Sequence, residues 1–286
     1  MTSLLFDFSF VIISYVVAFV VGYYTFLWLE SEIPSLLLRV FAYDIVSTVV
    51  IWILSHIYGN ASLYDPYWSV QPVVFWFVYL KFSKSTFTWQ LFTISFIPVL
   101  IWAIRLTLNW AYQWHGRNDQ DWRYTSIRNF CPLIWPLSNL VAIQLVPTVL
   151  VFAGMIPMFN TIENSDKLSN LSIAGSILSI LAAILQLFAD VQMINFRKNR
   201  KGKTVIDIGL WKHSRHPNYL GEILFWTGVW IVDFISNPQY KIGIIGPLTM
   251  IFLFNAISIP LMEGRMKNRP GYKEYQQKVS RLILMP

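Results

Sequence analysis

The segment GLWKHSRHPNYLGEILFW, residues 209–226, has residue types suited to binding an anion beside a polar ligand. Pro217 favours the first turn of a helix, where its missing N–H would have no partner in any case. Basic and imidazole side chains precede it, so the free N–H groups of this helix start can hold an anion. Glu222 follows Asn218 by one turn, which puts carboxylate and amide on one face. The structural alternative is a basic cap at a membrane surface, with the glutamate paired to a neighbouring helix.

A second polar set lies in the apolar segment before this one. Gln186, Asp190 and Arg197 are spaced by four and seven residues, so they line one side of a helix. A polar stripe that faces lipid is unfavourable, and we therefore expect it to face the bundle interior and to meet Asn218 and Glu222. The alternative is an ion pair between Asp190 and Arg197 that only stabilises the helix.

The first half of the chain holds one polar cluster, YDPYWSV at residues 64–70, where Asp65 follows Tyr64. Its alternative is a simple turn, since Asp before Pro often initiates one. Asp44 and Arg105 lie within apolar segments and could line a cavity or pair with each other.

Two basic segments lie next to apolar ones. HGRNDQDWRYTSIRN, residues 115–129, alternates in charge, which is also typical of a solvated loop. EGRMKNRPGYKEYQQKVSR, residues 263–281, is basic and rich in tyrosine. By itself the second segment is typical of an interfacial helix that binds anionic lipid.

The sequence argues against a metal centre. One cysteine, Cys131, and four histidines cannot form a cysteine-rich zinc site or a histidine-box di-iron site. His56 and His115 have no second ligand at metal-binding spacing. No GxGxxG, GxxxxGKS, HExxH or CxxC motif is present either. We therefore expect no metal, and no Rossmann turn for a nucleotide.

Composition places these segments in a membrane. Hydrophobic residues make up 55% and charged residues 13% of the 286-residue chain, whereas soluble domains carry about 25% charged residues. The mean hydropathy of +0.50 leaves too little polar surface for a soluble protein of this size. The net charge of +7 comes from basic residues that flank apolar segments. This pattern favours a lipid bilayer as the partner and argues against nucleic acid.

A helix needs about 20 apolar residues to cross a bilayer. The sequence therefore predicts an all-α, polytopic transmembrane helix bundle with seven to eight spans. Seven are expected near residues 4–29, 36–58, 88–113, 133–156, 172–196, 218–236 and 241–262. The eighth, 68–82, is short and contains Pro72, so it could instead be a re-entrant or interfacial helix. The long apolar N-terminal segment is expected to be a retained span and not a cleaved signal.

Basic residues predict the orientation, because cytosolic loops carry excess Lys and Arg. Most of the 22 lysines and arginines lie in segments 115–129, 197–217 and 263–281. We expect these three segments to face the cytosol. With eight spans both termini are cytosolic, and with seven the N-terminus lies on the other side. The chain shows no internal repeat or flexible linker, so one integral membrane domain, 1–286, is predicted.

The motifs resemble those of the membrane steroid 5-alpha-reductase superfamily. The resemblance is closest to an uncharacterised branch, a domain of unknown function predicted to be an oxidoreductase, and it covers roughly residues 40–286. GLWKHSRHPNYLGE is shared with sterol reductases and with isoprenylcysteine and phospholipid methyltransferases. RNDQDWRYTSIRN and the ending RPGYKEYQQKVSR are more particular to the uncharacterised branch.

The resemblance implies NADPH as the cofactor. The half 114–286 would hold it, and the spans of 1–113 would form a lipid-accessible substrate cavity. The residues that match the cofactor-binding pattern are Asp190, Arg197, Arg215, His216, Asn218, Tyr219, Arg265 and Tyr275. Glu222 would then meet the nicotinamide end and orient it for hydride transfer. Several cations on one side also suit the phosphates of a dinucleotide.

The steroid enzymes further use a buried acid, and a tyrosine one turn before an arginine, to polarise the substrate ketone. Asp65 corresponds to the acid and Arg105 to the arginine, but Trp102 stands in place of the tyrosine. Tryptophan cannot protonate an enolate, which argues against a steroid substrate. The proton donor stays open among Tyr64, Tyr67, Tyr112 and Tyr124. The residues expected to be catalytic are Glu222, Asp65 and Tyr64.

The expected function is therefore NADPH-dependent reduction of a carbon–carbon double bond in a membrane lipid. The lipid would be a sterol-like, polyprenoid or fatty-acyl enone. One alternative is an S-adenosylmethionine-dependent lipid methyltransferase, although those enzymes tend to have an acidic pair where this chain has Glu263 alone. The other is a catalytically inactive membrane scaffold, which Trp102 favours. We expect an endoplasmic reticulum membrane if the host is eukaryotic and an inner membrane if it is bacterial.

Overall fold

The computed structural model describes residues 2–199 and 205–284. These residues form helices and connecting segments with no strand, which confirms an all-α polytopic bundle. Three basic residues of the predicted cytosolic segment 197–217 lie outside the described residues, namely Arg200, Lys201 and Lys203.

In chain order the helices are α1 (Thr2–Trp28), α2 (Leu36–Tyr58), α3 (Tyr67–Phe82), α4 (Trp89–Gln113), α5 (Trp122–Phe130), α6 (Pro132–Glu163), α7 (Asn170–Asn199), α8 (Pro217–Ser236), α9 (Lys241–Met266) and α10 (Tyr272–Lys278). Within the described residues, seven of them are long and apolar enough to cross a membrane: all except α3, α5 and α10. The predicted spans agree with these seven, although α6 runs well past the expected end at residue 156.

The short helix α3 connects the two ends of the bundle. Near its start, Tyr124 donates to Asp65 across 2.6 Å, beside the connection between α4 and α5. Beyond its end, the hydroxyls of Ser85 and Ser165 are 2.6 Å apart, beside the connection between α6 and α7. Sixteen residues of helix span about 24 Å, so α3 passes from one end to the other. The described bundle thus has eight passes.

The loops fall into two sets. We call the end formed by segments 59–66, 114–131, 205–216 and 267–284 the basic face. The opposite face is formed by 29–35, 83–88, 164–169 and 237–240. Hydrogen bonds tie each set together, for example Asn60 Nδ2 to the Arg117 carbonyl at 2.8 Å and Ser169 N to Ser236 Oγ at 3.0 Å. The predicted grouping of the basic segments at one end therefore agrees with the structure.

Helix α2 shows how local chemistry sets a boundary. It begins at Leu36 because the side chain of Ser35 caps the N–H of Leu38. It ends at Tyr58 because Gly59 adopts the left-handed backbone, with φ +79°. An added Cβ at Gly59 would also lie 3.4 Å from the guanidinium of Arg117.

Close packing of α7 on α8 sets the depth of the polar residues. Gly228 contacts Ser179 so closely that a Cβ would lie 2.3 Å from its hydroxyl, and Gly221 faces Gln186 in the same way. Small residues let two membrane helices approach each other along their backbones. Gln186 therefore lies inside the helix interface, and α7 presents Asp190 toward α8.

Three spans contain π-helical turns, at Phe92–Phe96, Asn139–Leu145 and Leu253–Ser258. Such turns interrupt the regular ladder and are frequent at functional sites. The turn in α9 brings Leu253, Phe254 and Ser258 to the wall of the cavity described next.

Candidate functional site

Two adjoining cavities open among the helices toward the basic face. The larger has a volume of about 600 Å³ and lies among α4, α5, α7, α8, α9 and α10. The smaller, of about 460 Å³, lies toward α6 and the connection between α2 and α3. They share wall residues, among them Trp68, Asn109, Glu222 and Phe254. We call them the arginine cavity and the apolar cavity.

The arginine cavity collects the residues expected to bind the cofactor. All eight line it: Asp190, Arg197, Arg215, His216, Asn218, Tyr219, Arg265 and Tyr275. They come from α7, α8, α9, α10 and the segment before α8, so the fold brings together positions far apart in the sequence. Glu222 lies on the wall that this cavity shares with the apolar one.

Positive charge exceeds negative charge in the arginine cavity. Its described wall includes the arginines 105, 123, 197, 215, 265 and 269 and the acids 121, 190 and 222. The acids pair with the inner arginines 105 and 123. Arg197, Arg265 and Arg269 add three positive charges to the outer part, so the described wall has more positive than negative charge, which suits an anionic ligand.

Arg105 is the centre of a buried ionic cluster. Its Nη1 lies 2.8 Å from Asp190 Oδ2 and its Nη2 lies 2.9 Å from Glu222 Oε1. Trp102 completes the cluster, because its Nε1 donates to Glu222 Oε2 at 2.9 Å. Of the two possibilities expected for Arg105 and Asp44, Arg105 lines a cavity and the two residues do not pair with each other. Asp44 instead accepts a hydrogen bond from Gln71.

Trp102 has an evident structural role. It is fully buried, stacks on Phe225 with ring centroids 4.8 Å apart, and packs edge-on against Trp226. The indole thus fixes α4 against α8 and supplies one hydrogen bond to Glu222. Glu222 therefore pairs with a neighbouring helix, which was the structural alternative expected for it. It also lines both cavities.

A polar stripe on α4 continues from this cluster toward the basic face. Asn109 and Gln113 follow Arg105 at intervals of four residues and line both cavities. Gln113 also accepts a hydrogen bond of 3.0 Å from Nη1 of Arg197. Asn109 and Gln113 were not among the residues expected from the sequence, although their four-residue spacing from Arg105 was a usable signal.

The apolar cavity contains an acid and a phenol in direct contact. Tyr124 Oη donates to Asp65 Oδ1 at 2.6 Å, and both side chains line this cavity. Burial raises the pKa of the Asp65 carboxyl to about 7, and the charge of Asp121 adds to this effect. The hydrogen bond from Tyr124 opposes the rise. Asp65 therefore lies close to its titration midpoint at neutral pH.

Tyr64 also lines the apolar cavity, beside Asp65. Its hydroxyl is 2.8 Å from Oγ1 of Thr148, which in turn is 2.9 Å from Oγ1 of Thr48. The three candidate catalytic residues, Glu222, Asp65 and Tyr64, thus share one cavity. Most of the remaining wall is apolar and includes Ile143, Val151, Met250 and Leu253, whereas Asp119, Asp121 and Arg123 line its end at the basic face.

The start of α8 is held by the C-terminal segment. Arg215 Nε lies 2.8 Å from Glu263 Oε1, and its Nη1 donates to the carbonyls of Gln276 and Val279 at 3.0 and 2.6 Å. The Tyr275 hydroxyl donates to the Trp211 carbonyl at 2.6 Å. Arg215 and Tyr275 line the arginine cavity, and most of their polar atoms form hydrogen bonds to other residues of its wall.

His216 belongs to the same wall. Its Nε2 lies 3.2 Å from Glu263 Oε1, and its ring stacks on Tyr219, which stacks in turn on Phe254. Burial lowers the pKa of His216 to about 4, although Glu263 opposes this shift. The imidazole is therefore neutral at physiological pH, and the cationic role expected of this position falls to the arginines.

The charged segment 115–129 is part of the site as well. Asp121 caps the start of α5, and the guanidinium of Arg265 lies 4.2 Å from the ring centroid of Trp122. Asp121, Trp122 and Arg123 line the arginine cavity. The alternative of a solvated loop describes part of this segment, since His115, Arg117, Thr125 and Arg128 are exposed.

Residues 51–279 of this chain match the profile of a protein family whose description is Protein of unknown function (DUF1295). An uncharacterised protein of Schizosaccharomyces pombe is 22% identical over 260 residues, which cover 82% of this chain and 75% of that protein. No solved structure matches the chain. The family match covers most of the chain, including both cavities and the ionic cluster between them. The chain therefore belongs to the DUF1295 family.

Proposed function

We propose that this protein is an NADPH-dependent reductase of a carbon–carbon double bond conjugated to a carbonyl in a membrane lipid. The observation that carries the proposal is the shared wall of the two cavities. One cavity is rich in arginine and the other is largely apolar, and Glu222 and Asn109 line both. A charged dinucleotide and a lipid could thus meet at Glu222. The resemblance to the steroid 5-alpha-reductase superfamily supports the same assignment.

The residues present fit NADPH. Arg197, Arg265 and Arg269 would hold its phosphates at the outer end of the arginine cavity. Asn218, one turn from Glu222, would bind a polar group farther in. When bound there, NADPH would supply a hydride for the substrate. S-adenosylmethionine carries a sulfonium cation and no phosphate, so the basic wall favours NADPH over that alternative.

Glu222 would act as an orienting residue. Arg105 and Trp102 hold both of its oxygens, so the carboxylate has a fixed direction at the junction of the cavities. Each carboxylate oxygen can accept more than one hydrogen bond, which leaves capacity for a ligand. Fixed positioning of reacting groups can contribute several kcal/mol to lowering a barrier, in favourable cases about 7 to 11.

Asp65 and Tyr124 would bind the substrate carbonyl. A hydrogen bond from this pair to the carbonyl oxygen would stabilise the negative charge that develops there. The apolar wall of the cavity would exclude water from the reacting atoms. The substrate class we propose is a sterol-like, polyprenoid or fatty-acyl enone. The host membrane would be the endoplasmic reticulum in a eukaryote or the inner membrane in a bacterium.

The first test is thermal stability of the full chain in detergent with NADPH, NADH and S-adenosylmethionine in parallel. A ligand present at a hundred times its Kd stabilises a fold by about 2.7 kcal/mol. We expect stabilisation by NADPH and less by NADH, which lacks the extra phosphate. Stabilisation by S-adenosylmethionine alone would favour a methyltransferase. Stabilisation by none of the three would favour an inactive scaffold.

The second test measures NADPH oxidation with cholest-4-en-3-one, farnesal and trans-2-hexadecenal as probes of the three lipid classes. We expect oxidation that depends on one probe and is lost in Arg265→Ala at low NADPH. Arg128→Ala is the control, because Arg128 lies on the same face and outside the described walls of both cavities.

A further inference from the structure

We propose that Asp44 stores a proton inside the bundle and that a chain of hydroxyl groups delivers it to the apolar cavity through Tyr64. The proposal rests on the proposed function, because it supplies the proton that reduction of a double bond needs. It assigns a role to a buried acid that lies in α2, outside the described walls of both cavities.

Asp44 lies in an environment that suits a stored proton. Asp44 is 2% exposed, and none of the basic residues that the structure describes forms an ion pair with it. Gln71 Nε2 and Tyr67 Oη lie 2.9 and 3.0 Å from its Oδ1. An unpaired carboxylate is costly at this depth, whereas a carboxylic acid is tolerated. Acids of this kind inside membrane bundles often belong to proton relays.

A set of neighbouring hydroxyls leads from Asp44 to the cavity. The Tyr67 hydroxyl contacts Asp44 and also interacts with Thr48. Thr48 Oγ1 lies 2.9 Å from Thr148 Oγ1, and Thr148 Oγ1 lies 2.8 Å from Tyr64 Oη. In both of these bonds either atom can be the donor, which is what transfer of a proton along a chain requires.

The end of the chain faces the cavity. Tyr64 lines the apolar cavity beside Asp65, yet its hydroxyl is bonded to Thr148 and not to Asp65. The two acids of this region thus have separate partners. Asp65 acts with Tyr124 at the carbonyl, and Asp44 acts through Tyr64 at carbon.

Reduction of the double bond consumes one hydride and one proton. NADPH, when bound, would supply the hydride with its electron pair, and the substrate would then carry an enolate that needs a proton at its α carbon. The O–H bond of Tyr64 then breaks and a C–H bond forms at the α carbon. Tyr64 regains a proton from Thr148, Thr148 from Thr48, Thr48 from Tyr67 and Tyr67 from Asp44. Asp44 ends as a carboxylate and recovers its proton along the same chain when product leaves and water enters.

Infrared difference spectroscopy tests the stored proton without any substrate. Spectra of the full chain in detergent at pH 7 are compared for the wild type and Asp44→Asn, in ordinary and in heavy water. We expect the wild type to show an additional carboxylic acid C=O band that shifts in heavy water. Asp233→Asn is the control, because Asp233 is a buried acid near the opposite face that accepts from Asn160 and Asn237. An Asp44 signal typical of a carboxylate would overturn the proposal.

The relay itself is tested with Thr148→Val, which removes one hydroxyl from the chain, and with Thr161→Val as control. Thr161 lies in the same helix, and its buried hydroxyl has no hydrogen-bond partner among the described residues. We expect Thr148→Val and Asp44→Asn to lower turnover by about 100-fold. The solvent isotope effect should rise, and half-saturation by NADPH should change by less than about twofold. Wild-type turnover and isotope effect in Thr148→Val would overturn the relay.

The two proposals fail in different ways. If the wild type oxidises no NADPH with any probe, the reductase assignment fails, and the infrared experiment still decides whether Asp44 holds a proton. If the wild type is active and the Asp44 and Thr148 variants keep its rate, the relay fails and the reductase assignment stands.

Discussion

Trp102 donates its indole N–H to Oε2 of Glu222 across 2.9 Å. This bond joins α4 to α8 at the wall between the two cavities. In the steroid enzymes that the sequence resembles, a tyrosine at this position would act on the substrate. Here the residue acts on Glu222, and under the proposed function carbonyl binding would fall to the apolar cavity, where Asp65 contacts Tyr124.

We expect Glu222→Gln to destabilise the fold. The substitution places the amide N–H₂ group of glutamine opposite an N–H donor. It also removes one of the two carboxylates that pair with Arg105, so that Asp190 alone still pairs with it. Breaking a buried ion pair costs about 3 to 5 kcal/mol. Thermal unfolding in detergent checks this, with Glu163→Gln near the opposite face as the control. Equal stability of the Glu222 variant and the wild type would contradict the expectation.

The same variant tests orientation. On folded protein saturated with NADPH, single-turnover oxidation should fall by about 100-fold, because small errors in position cost this much in rate. NADPH affinity should fall far less, since under the proposed function the arginines at the outer end would provide most of the binding. If the folded variant keeps the wild-type rate, Glu222 only holds the helices together.

Asp65 should make stability depend on pH in a defined direction. Its folded-state pKa of about 7 lies above the ordinary value of 3.8 because of burial. The stabilisation that this group contributes is therefore fully present below about pH 4 and is lost as the pH rises through about 7. Asp65→Asn removes the dependence, so the variant should gain stability relative to the wild type between these values. Melting temperatures measured from pH 4 to 8 check this, and a constant difference would contradict it.

Arg197→Ala and Asn218→Ala should each weaken NADPH binding and leave the fold intact. A hydrogen bond to a charged group contributes about 1.5 to 3 kcal/mol, which corresponds to roughly tenfold to over a hundredfold in affinity. Titration of each variant with NADPH measures the effect, and Arg128→Ala provides the matched control. Unchanged affinity in both variants at wild-type melting temperature would count against the arginine cavity as the cofactor site.

Labelling of single cysteines tests the eight passes. In a Cys131→Ser background, Lys212→Cys and Lys278→Cys should react from the same side of the membrane, and Lys84→Cys from the other. All three positions are exposed in the structure. We expect the first two to be cytosolic, because the basic segments lie there. A fourth variant tests α3 itself, because α2 and α3 separate the exposed Ser31 from Lys84. Labelling of Ser31→Cys and Lys84→Cys from opposite sides would mean that α3 does not cross.

The sequence predicted the spans well, because a bilayer requires long apolar helices and each of them satisfies its own backbone. It also indicated some of the residues that line the arginine cavity: spacing grouped Asp190 with Arg197, and the resemblance implied the residues of the α8 motif together with Arg265 and Tyr275. It left open which groups pair with each other. Asp190 pairs with Arg105 and not with a residue of its own helix, which depends on how α4, α7 and α8 pack.

Two features could not be found from local patterns. Glu263 binds Arg215 across 48 residues, and only the fold reveals this contact. Gln186 belongs to the predicted polar stripe, yet Gly221 admits its side chain into the interface between α7 and α8. A helical periodicity shows which residues share a face and does not show which neighbour that face contacts.

Arg105 is made by the ribosome long before the acids that hold it. Asp190 follows it by 85 residues and Glu222 by 117. When α4 leaves the ribosome, it therefore carries an arginine with neither of these partners, and insertion experiments put the cost at about 2.5 to 3.5 kcal/mol. Each Leu, Ile, Phe or Val residue of the helix favours insertion into the bilayer by about 0.3 to 0.6 kcal/mol. During biosynthesis, the many apolar residues of α4 must therefore compensate for Arg105 until α7 and α8 join it and pair the arginine.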